Sequence, residues 1–252
     1  MRMFMNELAA LFYPQVCPVC GEILPVSPGS REWVHRDCYR KLRRIREPVC
    51  KKCGKPMTDP QREYCSDCRR YVHHFESGRS LWRYDRISSR LISSYKYGRR
   101  QDLAVPLGMA AVHEAGSWMR ELHVSRIVPV PVSRGRMKTR GFNQAQLLAE
   151  QIGWCLGIPV STGLMRRHST LPQKELGRRE RMRNLASAFY ADPDCFHGVH
   201  RVLLIDDIYT TGSTIELCTR ALLAAGVRKV WFFTLCIGEY DGFSPAANDK
   251  TA

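Results

Sequence analysis

No apolar run in this 252-residue chain approaches the roughly 20 residues that cross a bilayer. Its start, Met1 to Val16, is interrupted by Asn6 and Glu7 and lacks a small-residue cleavage site. That segment therefore reads as an amphipathic turn or short helix rather than a signal peptide, and the expectation is a cytoplasmic protein with no membrane insertion. Carboxylates are also scarce: 24 face 39 lysines and arginines, a formal charge of +15. Such a surplus gathers nucleic acid by counterion release or attracts a small polyanion such as a sugar phosphate. Residues 1–75 hold 14 basic and 8 acidic side chains and the remainder 25 and 16, so the excess is shared and names no DNA-binding segment. With 44% hydrophobic and 25% charged residues, the bulk is expected to be globular.

Cysteine is abundant but unevenly placed. Seven of the eleven lie between Cys17 and Cys68, while Cys155, Cys195, Cys218 and Cys236 are single and read as core fillers. Cys17-Pro-Val-Cys20-Gly and Cys50-Lys-Lys-Cys53-Gly share one form, and each is followed by a second pair, His35/Cys38 and Cys65/Cys68. A C-x-x-C turn aims two thiolates into one tetrahedron, and the following glycine permits the tight knuckle. Disulfides are disfavoured in a reducing cytosol, and a redox pair needs no duplicate. The expectation is two structural Zn²⁺ sites in a repeated ribbon, Cys17/Cys20/His35/Cys38 and Cys50/Cys53/Cys65/Cys68. Four protein ligands leave no open position for water, so neither site is catalytic. The nearby Arg40, Lys41, Arg43, Arg44 and Arg46 read as a solvated face, with a nucleic-acid contact as the alternative.

The pattern changes near residue 75. A short strand at Leu81–Tyr84, helices around Leu91–Tyr95 and Leu103–Trp118, and a buried strand over Arg126–Val132 ending in a loop come first. Asn143 with Gln146 resembles a capping box for a helix ended by Gly157. A strand at Arg201–Ile205, a helix stopped by Gly226 and a strand at Val230–Cys236 complete the set. Alternating strands and helices indicate a mostly parallel α/β sheet, whose ligands bind beyond the carboxyl ends of the strands. The expected division is 1–75 zinc module, 76–240 α/β domain and 241–252 disordered tail.

At one strand end stands Val202-Leu-Leu-Ile-Asp206-Asp207-Ile-Tyr-Thr210-Thr211-Gly212-Ser213-Thr214. Backbone N–H groups at a helix start, with hydroxyls beside them, cradle a phosphate. Two acids there repel phosphate but suit the hydroxyls of a ribose. Hydrophobic, acidic and hydroxyl blocks in this order describe a 5-phosphorylated ribose, where Asp-Asp alone would describe only a helix cap.

That string resembles the PRPP-binding motif of type I phosphoribosyltransferases. The whole chain except its tail resembles the ComF/GntX-like family, through Tyr95-Lys-Tyr-Gly98, Val128-Pro-Val-Pro131, Arg140-Gly-Phe-Asn-Gln144, Leu171-Pro-Gln173, Glu180-Arg181 and Asn184. His35 departs from it, since family members often have cysteine there. The resemblance implies a parallel-sheet phosphoribosyltransferase fold behind a double zinc ribbon, with Mg²⁺-PRPP as ligand. It places Asp206 and Asp207 in the catalytic role and Thr210, Thr211, Gly212, Ser213 and Thr214 on PRPP. Ser133 and Arg134 fall at the pyrophosphate loop, with Arg136, Lys138 and Arg140 adding charge there. It also implies competence proteins and single-stranded DNA as partners.

The basic stretch Arg166–Arg183 reads equally as a closing loop, a solvated face or a track for nucleic-acid phosphates, though it lacks interleaved aromatics to stack bases. Nothing names an acceptor. Three readings stay open: a transferase to an unknown acceptor, a non-catalytic PRPP or nucleotide sensor, and a DNA-handling factor.

Overall fold

A computed structural model describes residues 14–25, 32–167 and 188–238. The expected matches at Leu171–Gln173, Glu180, Arg181 and Asn184, the expected tail and most of the Arg166–Arg183 stretch lie outside those residues.

Four parallel strands form the central sheet: β1 (Gly78–Tyr84), β2 (Arg126–Pro129), β5 (Arg201–Tyr209) and β6 (Lys229–Gly238). Their spatial order is β1-β6-β5-β2, which puts the two most apolar strands in the middle. A second, two-stranded antiparallel ribbon pairs β3 (Leu164–Arg166) with β4 (Phe189–Ala191). Three-residue strands so far apart in sequence carry no readable period, so the sequence alone does not reveal them.

The strand period of two assigns alternate side chains to opposite faces. Leu203 and Ile205 belong to one apolar cluster, with residues of α3 (Arg86–Tyr97), α4 (Ala104–Glu121) and α6 (Gln144–Leu156). Val202 and Leu204 belong to the other, with Ile215, Cys218 and Leu222 of α7 (Ser213–Ala224). α3 begins at Arg86, ahead of the expected Leu91–Tyr95 core, because Asp85 caps it, accepting from the N–H groups of Ile87 and Ser88 while Ser88 returns a bond to the cap. Asn143 caps α6 through the Ala145 N–H, but the box with Gln146 is not formed. Gln146 bonds Glu150 one turn on instead.

Two expected boundaries move, for physical reasons. β2 stops at Pro129 rather than running to Val132, because Pro129 and Pro131 bring no N–H to a ladder. A short loop, residues 130–133, follows as expected, and Ser133 then caps α5 (Arg134–Arg140) by accepting from Arg136 N–H at 3.3 Å. β5, conversely, runs four residues past Ile205, so Asp206 and Asp207 stand within the strand, with Asp206 opposite Thr234 of β6. On the β2 side the last bond is Val130 N–H to Ile205 O, and the Asp206–Tyr209 edge opens there.

The cysteine-rich segment packs onto this frame. Cys17, Val19, Leu24 and Leu42 join the first apolar cluster, and Cys50, Cys53 and Phe75 the second. The basic run after α1 (Arg36–Arg40) is not simply a solvated face. Arg44 bridges Trp82 antiparallel along the outer edge of β1 and its guanidinium pairs with Glu114 at 2.8 Å. Among the single cysteines, Cys218 and Cys236 are buried fillers, but Cys155 is half-buried and Cys195 is exposed in the turn Pro193–Phe196.

Phe232 of β6 is fully buried, stacked on Tyr209 with centroids 4.8 Å apart and edge-on to Phe75 at 4.9 Å. Phe232→Ala is expected to cost about 3–5 kcal/mol in a denaturant melt; a loss under about 1 kcal/mol would show that this stack does not hold the sheet to the cysteine-rich segment.

Candidate functional site

The two cysteine clusters are built as repeats of one local design. In each, a C-x-x-C turn closes on itself: Gly21 N–H bonds Cys17 O at 2.9 Å, and Gly54 N–H bonds Cys50 O at 2.8 Å. Both glycines have left-handed backbones, and a Cβ on Gly54 would also lie 2.6 Å from Gly78 O. The second pair comes from a short helix start. His35 and Cys65 are the cap residues of α1 and of α2 (Ser66–Arg70), and Cys38 and Cys68 sit one turn on.

The four ligand atoms of each cluster lie within 4.8 Å of one another. Cys53 and Cys65 sulfurs are 3.7 Å apart, against about 3.8 Å for the edge of a tetrahedron with Zn–S bonds of ~2.3 Å. His35 turns Nδ1 toward Cys20 Sγ at 3.3 Å and donates from Nε2 to Ile23 O at 3.1 Å, the tautomer a metal-facing Nδ1 needs. No cysteine is in a disulfide. Donor type, spacing and outer hydrogen bond all fit two structural zinc sites.

The second site lies where β5 meets α7. Asp207 is 5% exposed and fully engaged: Lys96 Nζ is 2.7 Å from Oδ1, and Gln144 Nε2 donates to Oδ2 at 2.5 Å. Tyr95 OH donates to Gln144 O at 2.7 Å. Three runs distant in sequence thus meet at one carboxylate. Lys96 and Gln144 are the functional residues that composition and spacing do not single out; their only sequence signal is membership of the Tyr95–Gly98 and Arg140–Gln144 runs.

Asp206 faces the other way, toward α7, and accepts the Asp207 N–H at 2.8 Å. Burial pushes its carboxyl up to about 7, aided by the Asp207 charge and opposed by the Asp207 N–H, Lys96 and Arg136. The structure therefore separates two acids that the sequence pairs. Asp207 is bound by protein side chains, whereas the Asp206 carboxylate accepts only a backbone N–H among the described residues.

The turn itself is shaped by packing. Gly212 has φ +77°, and a Cβ there would sit 2.3 Å from the Tyr209 hydroxyl, so only glycine fits. Thr210, Thr211, Ser213 and Thr214 are exposed around it, and Thr211 and Ser213 hydroxyls are 2.9 Å apart. Ser133 and Arg134 flank the end of β2, the strand next to β5. The charge of Arg136, two residues on, reaches Asp206.

Glu216, in the first turn of α7, ties this helix to the segment leaving the cysteine-rich part. It accepts His74 N–H at 2.9 Å and His74 Nδ1 at 2.5 Å, and pairs with Arg220 at 2.7 Å. Burial would raise its carboxyl, but these bonds and His73 outweigh that and hold it well below the usual carboxylate range.

Three outcomes follow. Metal analysis should find two zincs per chain, one after Cys53→Ser or His35→Ala, and two again after His35→Cys; two zincs with unchanged chelator resistance in His35→Ala would remove His35 from the site. Lys96→Met strands a buried carboxylate and should cost about 3–5 kcal/mol, measured by denaturation. The Asp206 carboxyl titrates higher folded than in the unfolded chain, near 3.9. The folded state then holds the extra proton between about pH 4 and 7, and stability falls as pH rises through that window. Asp206→Asn should remove that slope, and parallel wild-type and variant curves would contradict the buried placement.

Residues 8–69 match the family model described as a double zinc ribbon domain. The chain is 31% identical to the "DNA utilization protein YhgH" of Salmonella typhimurium over 230 residues, 90% of this chain and 98% of that one. It is 28% identical to "Competence protein ComFC" of Bacillus subtilis over 248 residues, 91% and 98% of the two chains. To "Competence protein F" of Haemophilus influenzae it is 29% identical over 199 residues, 77% and 85%. A solved purine phosphoribosyltransferase from Pyrococcus horikoshii overlays 55% of this chain and 91% of its own, at 16% identity and a TM-score of 0.31, a likeness too slight to argue from. With near-complete coverage on both sides at 31% identity, and a double zinc ribbon at its N-terminal end, the chain belongs to the ComF-like family of competence and DNA utilization proteins.

Proposed function

We propose that this protein binds Mg²⁺-PRPP and acts as a phosphoribosyltransferase-type component of DNA uptake and utilization, with an acceptor still to be found. The observation that carries the reading is the split of the acid pair. Asp207 is pinned by Lys96 and Gln144, which leaves Asp206 on the α7 side, next to an exposed hydroxyl turn that opens a twelve-residue helix.

Each residue then has a role that chemistry supports. The N–H groups at the start of α7, with Thr210, Thr211, Ser213 and Thr214, take the 5-phosphate, favoured by the positive end of the helix. Asp206 accepts from the ribose hydroxyls. Asp207 fixes the strand end and the position of Lys96, and serves as a positioning residue. Ser133 and Arg134, at the open end of β2, meet the pyrophosphate. If transfer occurs, breaking the C1–O bond leaves positive charge on the sugar and negative charge on pyrophosphate, so rate rests on preorganised charge rather than on a protein nucleophile.

The names of its relatives support a role in competence and DNA utilization. The +15 charge is compatible with a nucleic-acid partner whose affinity falls with salt.

Calorimetry with Mg²⁺-PRPP tests the pocket. Asp206→Asn should weaken binding at least about tenfold, the scale of a lost charged hydrogen bond, while the sheet still melts cooperatively. Affinity within twofold of wild type would sink the ribose role. Pyrophosphate release with a panel of bases and amines then separates a transferase from a sensor that binds without turnover.

A further inference from the structure

The outer face of the α4/α6 pair is built differently from the rest of this basic chain. Of the 39 lysines and arginines, none falls in residues 101–119 or 141–165, the stretches that hold most of α4 and all of α6. The two helices run side by side in the same direction. A Cβ on Gly108 would lie 2.4 Å from Gln151 Cγ, and one on Gly116 would lie 3.9 Å from Leu156 Cδ2. Along this seam Val105, Met109, Val112 and Gly116 recur at spacings of four, three and four on α4, and Leu147, Gln151 and Trp154 at four and three on α6. Val112, Leu147 and Leu156 pack partly buried against the core. Val105, Met109 and Trp154 instead stand in solvent, at 50%, 57% and 81% exposure.

One exposed apolar side chain is ordinary, but three on one seam make a patch of roughly 400 Å², a size that marks a binding surface on a monomer. Its largest member is a tryptophan with its ring in water, the residue type that most often anchors a protein interface. Charge disfavours nucleic acid as the occupant, since the two helices offer Glu114 and Glu150 and no lysine or arginine before Arg120. The same charge favours a second copy of this chain. Two chains of charge +15 repel wherever lysines and arginines meet, and the repulsion is least where a face has none. The face is also self-complementary. Trp154 lies three residues beyond the Gly108–Gln151 contact and Val105 three before it, so the two mark opposite ends of the patch. A two-fold axis lying in the face then sets each tryptophan on the Val105/Met109 stripe of the other copy.

We propose that this protein forms a reversible two-fold dimer through the α4/α6 face, anchored by Trp154. The α7 turn stays open in both copies, because α7 covers the opposite face of the sheet. Roughly 800 Å² of apolar surface over the two copies, with a polar rim around it, falls at the low end of specific interfaces, so the association is concentration-dependent rather than obligate. The dimer does not depend on the phosphoribosyl reading.

Sedimentation velocity on the zinc-loaded full chain, freed of nucleic acid, tests this. Wild type should pass from monomer to dimer over roughly 1–100 μM. Raising sodium chloride from about 50 mM to about 500 mM should tighten the dimer severalfold, because screening relieves the cationic repulsion and leaves the apolar contact in place. Trp154→Glu and Met109→Glu should each weaken it at least about tenfold, with melting and zinc content unchanged because both side chains are exposed. A chain that stays monomeric across that range overturns the proposal. So does a dimer that salt dissolves, which paired charges would hold, and so does one that both variants leave intact, which would use another surface.

Discussion

The site depends on the buried contact between Asp207, Lys96 and Gln144. One carboxylate on a central strand draws α3 and α6 to the same point on the sheet, and Tyr95, hydrogen-bonded to the Gln144 carbonyl, seals the approach. Removing either partner would leave charge in a low-dielectric interior, so the three segments hold one another in register. Because adjacent strand residues face opposite ways, fixing Asp207 on the α3/α6 face also fixes Asp206 on the α7 face. The orientation of Asp206 is thus set by the bonds of its neighbour.

The ribbon contributes to the same end by packing. Its second cluster shares an apolar core with Phe75, Phe232, Tyr209 and Ile215, so a path of contacts runs from the Cys50/Cys53 knuckle to the turn at Gly212. Glu216 adds a polar tie, pulling the His73–His74 segment onto the first turn of α7. Metal in a ribbon of few large aliphatics supplies folding energy, and here that energy is spent on a wall of the α/β core.

Proline explains why the edge of β5 opens where it does. Pro129 ends the ladder between β2 and β5 just before Asp206, and Ser133 converts the following residues into α5. A longer β2 would have covered the edge from Asp206 to Tyr209. The same short helix carries cations to the opening, one of them buried at its far end.

Read from sequence alone, the metal ligands, the strand–acid–hydroxyl string, the α/β class and the starts of α6 and α7 were legible, because each is local. A C-x-x-C-G knuckle, an Asn143 cap and a four-residue apolar run declare themselves within a few residues. What needed the tertiary structure was long-range. The partnership of Asp207 with Lys96 and Gln144 spans 111 and 63 residues of chain, and no spacing rule connects them. The β3–β4 ribbon is too short to show a period. Arg136, Lys138 and Arg140 look alike as an alternating row, and only folding buries the last and exposes the others. Residue chemistry was thus fixed by the sequence one segment at a time. Which acid is free, which cation is enclosed and which edge is open were decided by burial, which exists only once distant segments pack together.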